Sequence, residues 1–142
     1  MTMTIRYAVP DDVPALSAAE AECFPPAEAA TAAEFAERVT YYGNHFWLMY
    51  DGDKLISFVD GFVTDDTDLT DEMYENAVMH NENGAWQMIF GVNTIPACRR
   101  HGYAGELICR AIQDAKKQGR KGLVLTCKDR LCLLYTSPSP RD

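Results

Sequence analysis

The sequence predicts an α/β (α+β) domain, and three observations carry that expectation. Residues Trp86 to Gln118 read in succession as a strand, a basic turn and a helix. Asp51-Gly52 stands between two runs rich in aromatic and β-branched residues, a strong hairpin signal. Gly122 to Cys127 is a short, continuous apolar run of the kind buried in a sheet. A chain of 142 residues, 47% of them hydrophobic, is one domain by length and has material for one sizeable core.

Met3 to Val9 alternates apolar and polar residues and reads as the first strand. Pro10-Asp11-Asp12 opens a helix, since acidic residues suit its positive end, and Pro25-Pro26 ends it after Cys23-Phe24. Thr31 and Glu34 form a capping box for a second helix with Phe35 and Val39 on its apolar face, stopping near Gly43. His45 to Tyr50 and Leu55 to Val63 are the hairpin strands, with Ile56, Phe58, Asp60 and Phe62 on one face of the second. Asp65, Asp66, Asp68, Asp71 and Glu72 form an acidic cluster, and Thr70 caps a short helix reaching Met79. That cluster reads either as a solvated loop or as an attractor for a protonated amine. Trp86 to Pro96 is the central strand, with Trp86, Met88, Phe90, Val92 and Thr94 sharing a face. The helix after it buries Ala104, Leu107, Ile108, Ala111, Ile112 and Ala115, and ends at Lys116, Lys117 and Gly119.

The turn between that strand and helix holds Arg99, Arg100, His101, Gly102, Tyr103, Ala104 and Gly105. It contains no Ser, Thr, Asp or Asn to cap the helix. A helix start leaves several backbone N–H groups without partners and carries about half a positive charge. Glycines let a ligand approach the backbone, and the arginines add charge, so the turn suits a phosphate. The plainer reading leaves water on the donors and the arginines solvated.

The net charge of −8 argues against general nucleic-acid binding and is compatible with a cationic amine substrate. No apolar run approaches a membrane span, and the N-terminus lacks a signal pattern, so the expected location is cytoplasmic. Five cysteines without close spacing and three scattered histidines, His45, His80 and His101, predict no metal site. Cys98, beside the basic turn, reads either as a nucleophile with no evident partner base or as a small apolar residue. Oligomeric state is not legible.

Arg99-Arg100-His101-Gly102-Tyr103-Ala104 fits the (Gln/Arg)-x-x-Gly-x-(Gly/Ala) motif and resembles the GNAT superfamily of acetyl-CoA-dependent N-acetyltransferases. The order β-α-α-β-β-α-β-α-β is similar too. The resemblance implies a mixed, mostly antiparallel sheet flanked by helices, with acetyl-CoA as cosubstrate. It implies that the backbone of residues 100 to 105 cradles the pyrophosphate. It places Val92, Asn93 and Thr94 on the strand whose edge pairs with the pantetheine arm. Cys23 to Ala29, Asp68 to Glu72 and Leu125 to Leu131 resemble segments of the arylalkylamine (serotonin) N-acetyltransferase branch and its microbial relatives. The likeness covers residues 4 to 131, and the domain is read as 1 to 131. Residues 132 to 142, with two Ser-Pro pairs, lie outside it. They read as translated adapter sequence or as a disordered terminus, and the family's last two strands are expected to be missing.

An N-acetyltransferase positions an amine against a thioester, takes a proton from the ammonium and protonates the leaving thiolate. In vertebrate relatives two histidines serve as base; their positions hold Met88 and Phe90 here, which carry no proton. Glu28 stands where insect relatives place a glutamate acting through water, and is the candidate base; the plainer reading is an exposed glutamate before a helix. Tyr135 occupies the position of the family's acid, on an expected short helix. Gln87 and Asn93 can orient a water or amine but are not bases. The expected function is acetyl transfer to a small arylalkylamine or polyamine-like amine. The alternative is a CoA-binding domain without turnover. A different nucleotide-binding domain is disfavoured by the absence of Gly-x-Gly-x-x-Gly and Walker motifs.

Overall fold

A computed structural model describes residues 3–65, 77–127 and 130–136, with side chains as far as residue 125 apart from residue 78. Most of the acidic cluster and the short helix expected after Thr70 lie outside the described residues. Met3–Arg6 is β1, followed by a 3-10 turn at Pro10–Asp12 and helix α1, Val13–Cys23. Helix α2 is Ala32–Tyr42. Strands β2 (Phe46–Asp51) and β3 (Lys54–Asp60) form the expected hairpin, and Gly52 takes the left-handed φ of 60° that its turn requires. Val63–Thr64 is β4, Trp86–Ile89 is β5 and Gly91–Thr94 is β6. Helix α3 is Tyr103–Lys117, and β7 (Gly122–Cys127) and β8 (Arg130–Thr136) close the described chain.

The strands lie in two four-stranded groups, ordered β1-β2-β3-β6 and β4-β5-β7-β8. Among the described strands only β5 and β7 run parallel. This is the mixed, mostly antiparallel sheet that was expected. Two strands expected to be continuous are each broken. Leu55 to Val63 breaks at Gly61-Phe62, and Trp86 to Pro96 breaks at Phe90.

The breaks face one another, and the reason is steric. A Cβ on Gly61 would run into the Met88 carbonyl, so only glycine lets the two strands approach there. The buried Gln87 amide bridges the break, donating to the carbonyls of Gly61 and Met88, each at 2.7 Å. It is therefore committed to structure rather than free to orient a substrate. Beyond Phe90 the shared face also changes: Asn93 is buried and Val92 exposed.

Helix α2 forms as its sequence dictates. The Thr31 hydroxyl accepts from Glu34 N at 3.2 Å and the Glu34 carboxylate from Thr31 N at 3.0 Å, a cap stabilising by about 1 kcal/mol. Phe35, Val39 and Tyr42 then fall on one buried face. Phe35 meets Phe46 and Phe58 edge to face, at centroid distances of 6.5 and 5.8 Å.

Strand β8 departs from the sequence reading. Residues 132 to 136 were expected outside the domain, yet Arg130–Thr136 pairs antiparallel with β7. The apolar run Leu131 to Tyr135 satisfies the open edge of β7, and the Ser-Pro pairs come only after the strand has ended. Tyr135 consequently lies on a strand, opposite Leu123, and not on a helix.

Candidate active site

The broken strand creates the site. Its first half, β5, pairs with β7; its second half, β6, turns away to pair with β3. An opening is left between β6 and β7. A cavity of about 660 Å³ occupies it, lined by Phe90, Gly91, Val92 and Asn93, by Leu125 of β7 and Ile108 of α3. The α1–α2 loop covers it with Phe24, Ala27, Glu28 and Ala29, and Glu20, Glu34, Arg38, Tyr42 and Asp60 complete the lining. Four carboxylates thus face one guanidinium.

Several of these groups are held in place. Glu20 accepts from the Asn93 amide at 3.0 Å and from Ala30 N at 2.9 Å, tying α1, the covering loop and β6 together. That bond occupies Asn93, which was read as a possible water or amine holder. Glu28 is exposed on the loop, whose turn is closed by its own N–H bonded to the Pro25 carbonyl at 2.9 Å. Asp60 is the opposite case, only 2% exposed. Burial pushes its carboxyl up to about 7, Glu20 adding to the rise and Arg38 opposing it. The sequence held a signal for Asp60, a charge inside the apolar run Phe58 to Phe62, but nothing local aimed it at a cavity.

Ile95 N donates to the Ile56 carbonyl, so odd-numbered residues of this strand face β3. By the alternation of an antiparallel pair, the amides of Val92 and Thr94 face the other way, toward the opening. The edge at Val92 suits an extended arm. That at Thr94 is partly covered, because its carbonyl accepts from Arg99 Nε at 3.0 Å and the Cys23 thiol at 3.5 Å. The Thr94 hydroxyl is paired with Ser57 at 2.9 Å.

A turn at Pro96–Cys98 leads from β6 to the basic segment. Cys98 is half-buried there against the core. Gly102 is the N-cap of α3, at φ 77°, and no side chain caps the helix. Arg100 is also left-handed, at φ 69°, a conformation costing a non-glycine residue about 1–2 kcal/mol. Arg100 and Gly102, two residues apart, thus bend the backbone sharply at the start of α3, and such strain collects at ligand sites. A Cβ on Gly102 or Gly105 would meet nothing within 4 Å, so both face open space where phosphate oxygens would come. Arg99, Arg100 and His101 are exposed around it, and the His101 ring stacks on half-buried Tyr103 at 5.4 Å. Ala104, next along, is half-buried at the first turn. Residues 99 to 105 therefore fit a pyrophosphate.

Two of the three histidines expected to be scattered, His45 and His80, meet at one carboxylate, while His101 stays apart. His45 Nε2 lies 3.0 Å from both Glu82 carboxylate oxygens and His80 Nε2 lies 3.0 Å from one. Among the described residues these three form the one group with metal-ligand spacing. Their protons argue for a hydrogen-bonded hub instead. Val63 N donates to His80 Nδ1 at 3.0 Å, leaving the ring proton on Nε2, and Arg120 Nη2 takes Glu82 at 3.1 Å. A metal would have to displace that guanidinium and reverse that tautomer. No described helix is long and apolar enough to cross a membrane.

The opened strand and the covering loop frame one cavity in an α/β fold, with the uncapped turn after the strand, and the comparisons give that fold a family. A model of the acetyltransferase (GNAT) family matches residues 13–135. The chain belongs to that family. Among solved structures it is similar to the loading GNATL domain of CurA from Lyngbya majuscula, at 18% identity and a TM-score of 0.79, over 88% of this chain and 64% of that one. It is similar to the GphF GNAT-like decarboxylase in complex with isobutyryl-CoA, at 26% identity and 0.75, over 86% and 64%. A GNAT family acetyltransferase from Brucella melitensis in complex with acetyl-CoA matches at 15% identity and 0.62, over 96% and 90%. The chain thus spans 64% of the length of the first two. No curated protein matches it significantly.

Proposed function

We propose that this protein is a cytoplasmic N-acetyltransferase that moves the acetyl group of acetyl-CoA to a small primary amine of the arylalkylamine or polyamine-like class. The acidic cavity in the strand opening carries this reading, because a cluster of carboxylates concentrates and orients a protonated amine. The segment that resembles the arylalkylamine branch, Cys23 to Ala29, supplies Phe24, Ala27, Glu28 and Ala29 to that cavity. In this reading the N–H groups of residues 100 to 105 hold the pyrophosphate, with Arg99 and Arg100 adding charge, and the free edge at Val92 holds the pantetheine arm. Glu28 is the rim carboxylate that acts through water, and Tyr135 is the acid that the resemblance implies.

A second reading follows from the likeness to a GNAT-like decarboxylase: loss of carbon dioxide from a carboxyacyl-CoA. The cavity opposes it, since Glu20, Glu28 and Glu34 against Arg38 repel an anionic acyl group. The third is CoA binding without turnover. Calorimetry with acetyl-CoA and ATP, followed by release of free CoA with tryptamine or spermidine, separates them. Acetyl-CoA binding and amine-dependent CoA release are expected. Binding of ATP alone sinks the CoA assignment. Decarboxylation of malonyl-CoA favours the second reading, and tight CoA binding with no turnover favours the third.

A further inference from the structure

We propose that Asp60 takes the ammonium proton of the attacking amine, which makes the inner end of the cavity a seat for a primary alkylammonium ion. This rests on the acetyl-transfer reading and deepens it. Asp60 closes β3 opposite Gly91, the first residue of β6, at the point where the strand opening begins. Its Oδ1 lies 2.5 Å from where a Cβ on Gly91 would stand, so glycine is what gives the carboxylate its room. The side chain is buried, lines the cavity, and among the described residues receives no hydrogen bond. A buried carboxylate without fixed donors is costly unless a cation or a proton reaches it, and an ammonium ion brings both.

The groups around it come from three elements. Glu20 reaches in from α1, Arg38 and Tyr42 from α2, and Asn93 from β6. Glu20 and Asn93 are bound to each other, and Tyr42 is held protonated because burial, with Asp60 close by, pushes its hydroxyl up. Burial outweighs the attraction of Arg38, so the Asp60 carboxyl titrates near neutrality, where a general base works best. Glu28, on the exposed rim, is suited to handing the proton on to water.

The step balances. One ammonium proton passes to the Asp60 carboxylate, and the freed lone pair forms the C–N bond at the thioester carbonyl. The C–S bond breaks, the departing thiolate takes its proton from the acid, Tyr135, and a second proton from the same nitrogen restores that acid. Asp60 then returns its proton to water through Glu28, giving amide, free CoA and one H⁺.

Asp60→Asn keeps the volume and removes the base. With the full chain, acetyl-CoA affinity is measured by calorimetry, CoA release with tryptamine and spermidine across pH, and the ¹³C-labelled Asp60 carboxyl by NMR. The expected result for Asp60→Asn is acetyl-CoA affinity within twofold of the parent, acetylation slowed about 10²-fold or more, and loss of the acid limb near neutral pH. Glu28→Gln keeps that limb and loses less than about tenfold, because water replaces a relay at the rim. Each amine at saturation lowers the Asp60 midpoint. The proposal is overturned if Asp60→Asn keeps its rate within tenfold, or if neither amine moves the Asp60 midpoint. Failure of the parent protein to bind acetyl-CoA sinks the acetyl-transfer reading instead, and the NMR shift still decides whether Asp60 seats an ammonium ion.

Discussion

Three glycines share a left-handed backbone and open surroundings: Gly52 at φ 60°, Gly102 at 77° and Gly119 at 74°, each with nothing within 4 Å of an added Cβ. Alanine at any of them has the same steric consequence for folding, about 1–2 kcal/mol for forcing an L side chain into that region. For a domain of this size that lowers Tm by about 4 °C per kcal/mol. Gly102 differs in standing at the uncapped start of α3. In the phosphate reading its Cβ occupies space that pyrophosphate oxygens need, and the uncapped N–H groups of α3 are masked. Gly102→Ala is therefore expected to weaken acetyl-CoA binding at least about tenfold, or 1.4 kcal/mol, on top of the shared loss of stability. Gly52→Ala and Gly119→Ala are expected to leave affinity within twofold. Gly102→Glu, which adds a carboxylate to the cradle, weakens binding further. Thermal melts and calorimetry on the three alanine variants check this. Gly102→Ala binding as tightly as Gly119→Ala would refute the cradle, and unequal melting shifts among the three would refute the steric reasoning.

Glu82→Gln is expected to destabilise by about 1–3 kcal/mol, since buried His45 and Arg120 lose a charged acceptor. Burial raises the Glu82 carboxyl, but hydrogen bonds from His80 and His45 outweigh it and hold the group at about 2; burial holds His45 below its ordinary 6.5. Both groups bind fewer protons folded than unfolded, so their stabilisation is complete above pH 6.5 and is lost as pH falls. The portion lost between 4.5 and about 2 is the one Glu82→Gln removes, which urea titrations across pH would reveal. Asp114→Ala is expected to cost about 1–3 kcal/mol, because the buried indole N–H of Trp47, bonded to Asp114 at 2.8 Å, loses its acceptor. Burial and Asp114 hold the Tyr7 hydroxyl up at about 12, so the same variant moves its spectrophotometric titration down toward 10. An unmoved Tyr7 would show that burial alone sets it.

The amino-acid sequence by itself determined what short-range chemistry controls. The Thr31–Glu34 cap, the Asp51-Gly52 turn and the uncapped start of α3 all stand where the residues place them, because each depends on neighbours a few positions away. The apolar spacing of α3 and the buried run of β7 likewise carry their own periodicity. Pairings between distant segments decided the rest. The break at Phe90 exists because Gly61 lets two backbones nearly touch, and from that break come the cavity, the exposed edge at Val92 and the burial of Asp60. Tertiary structure also gathered His45, His80 and Arg120 around Glu82, and drew residues 130 to 136 into β8. A periodic pattern reports which face of a strand is apolar. It carries no information on which carbonyl a glycine lies against, and here that contact opens the strand into a site.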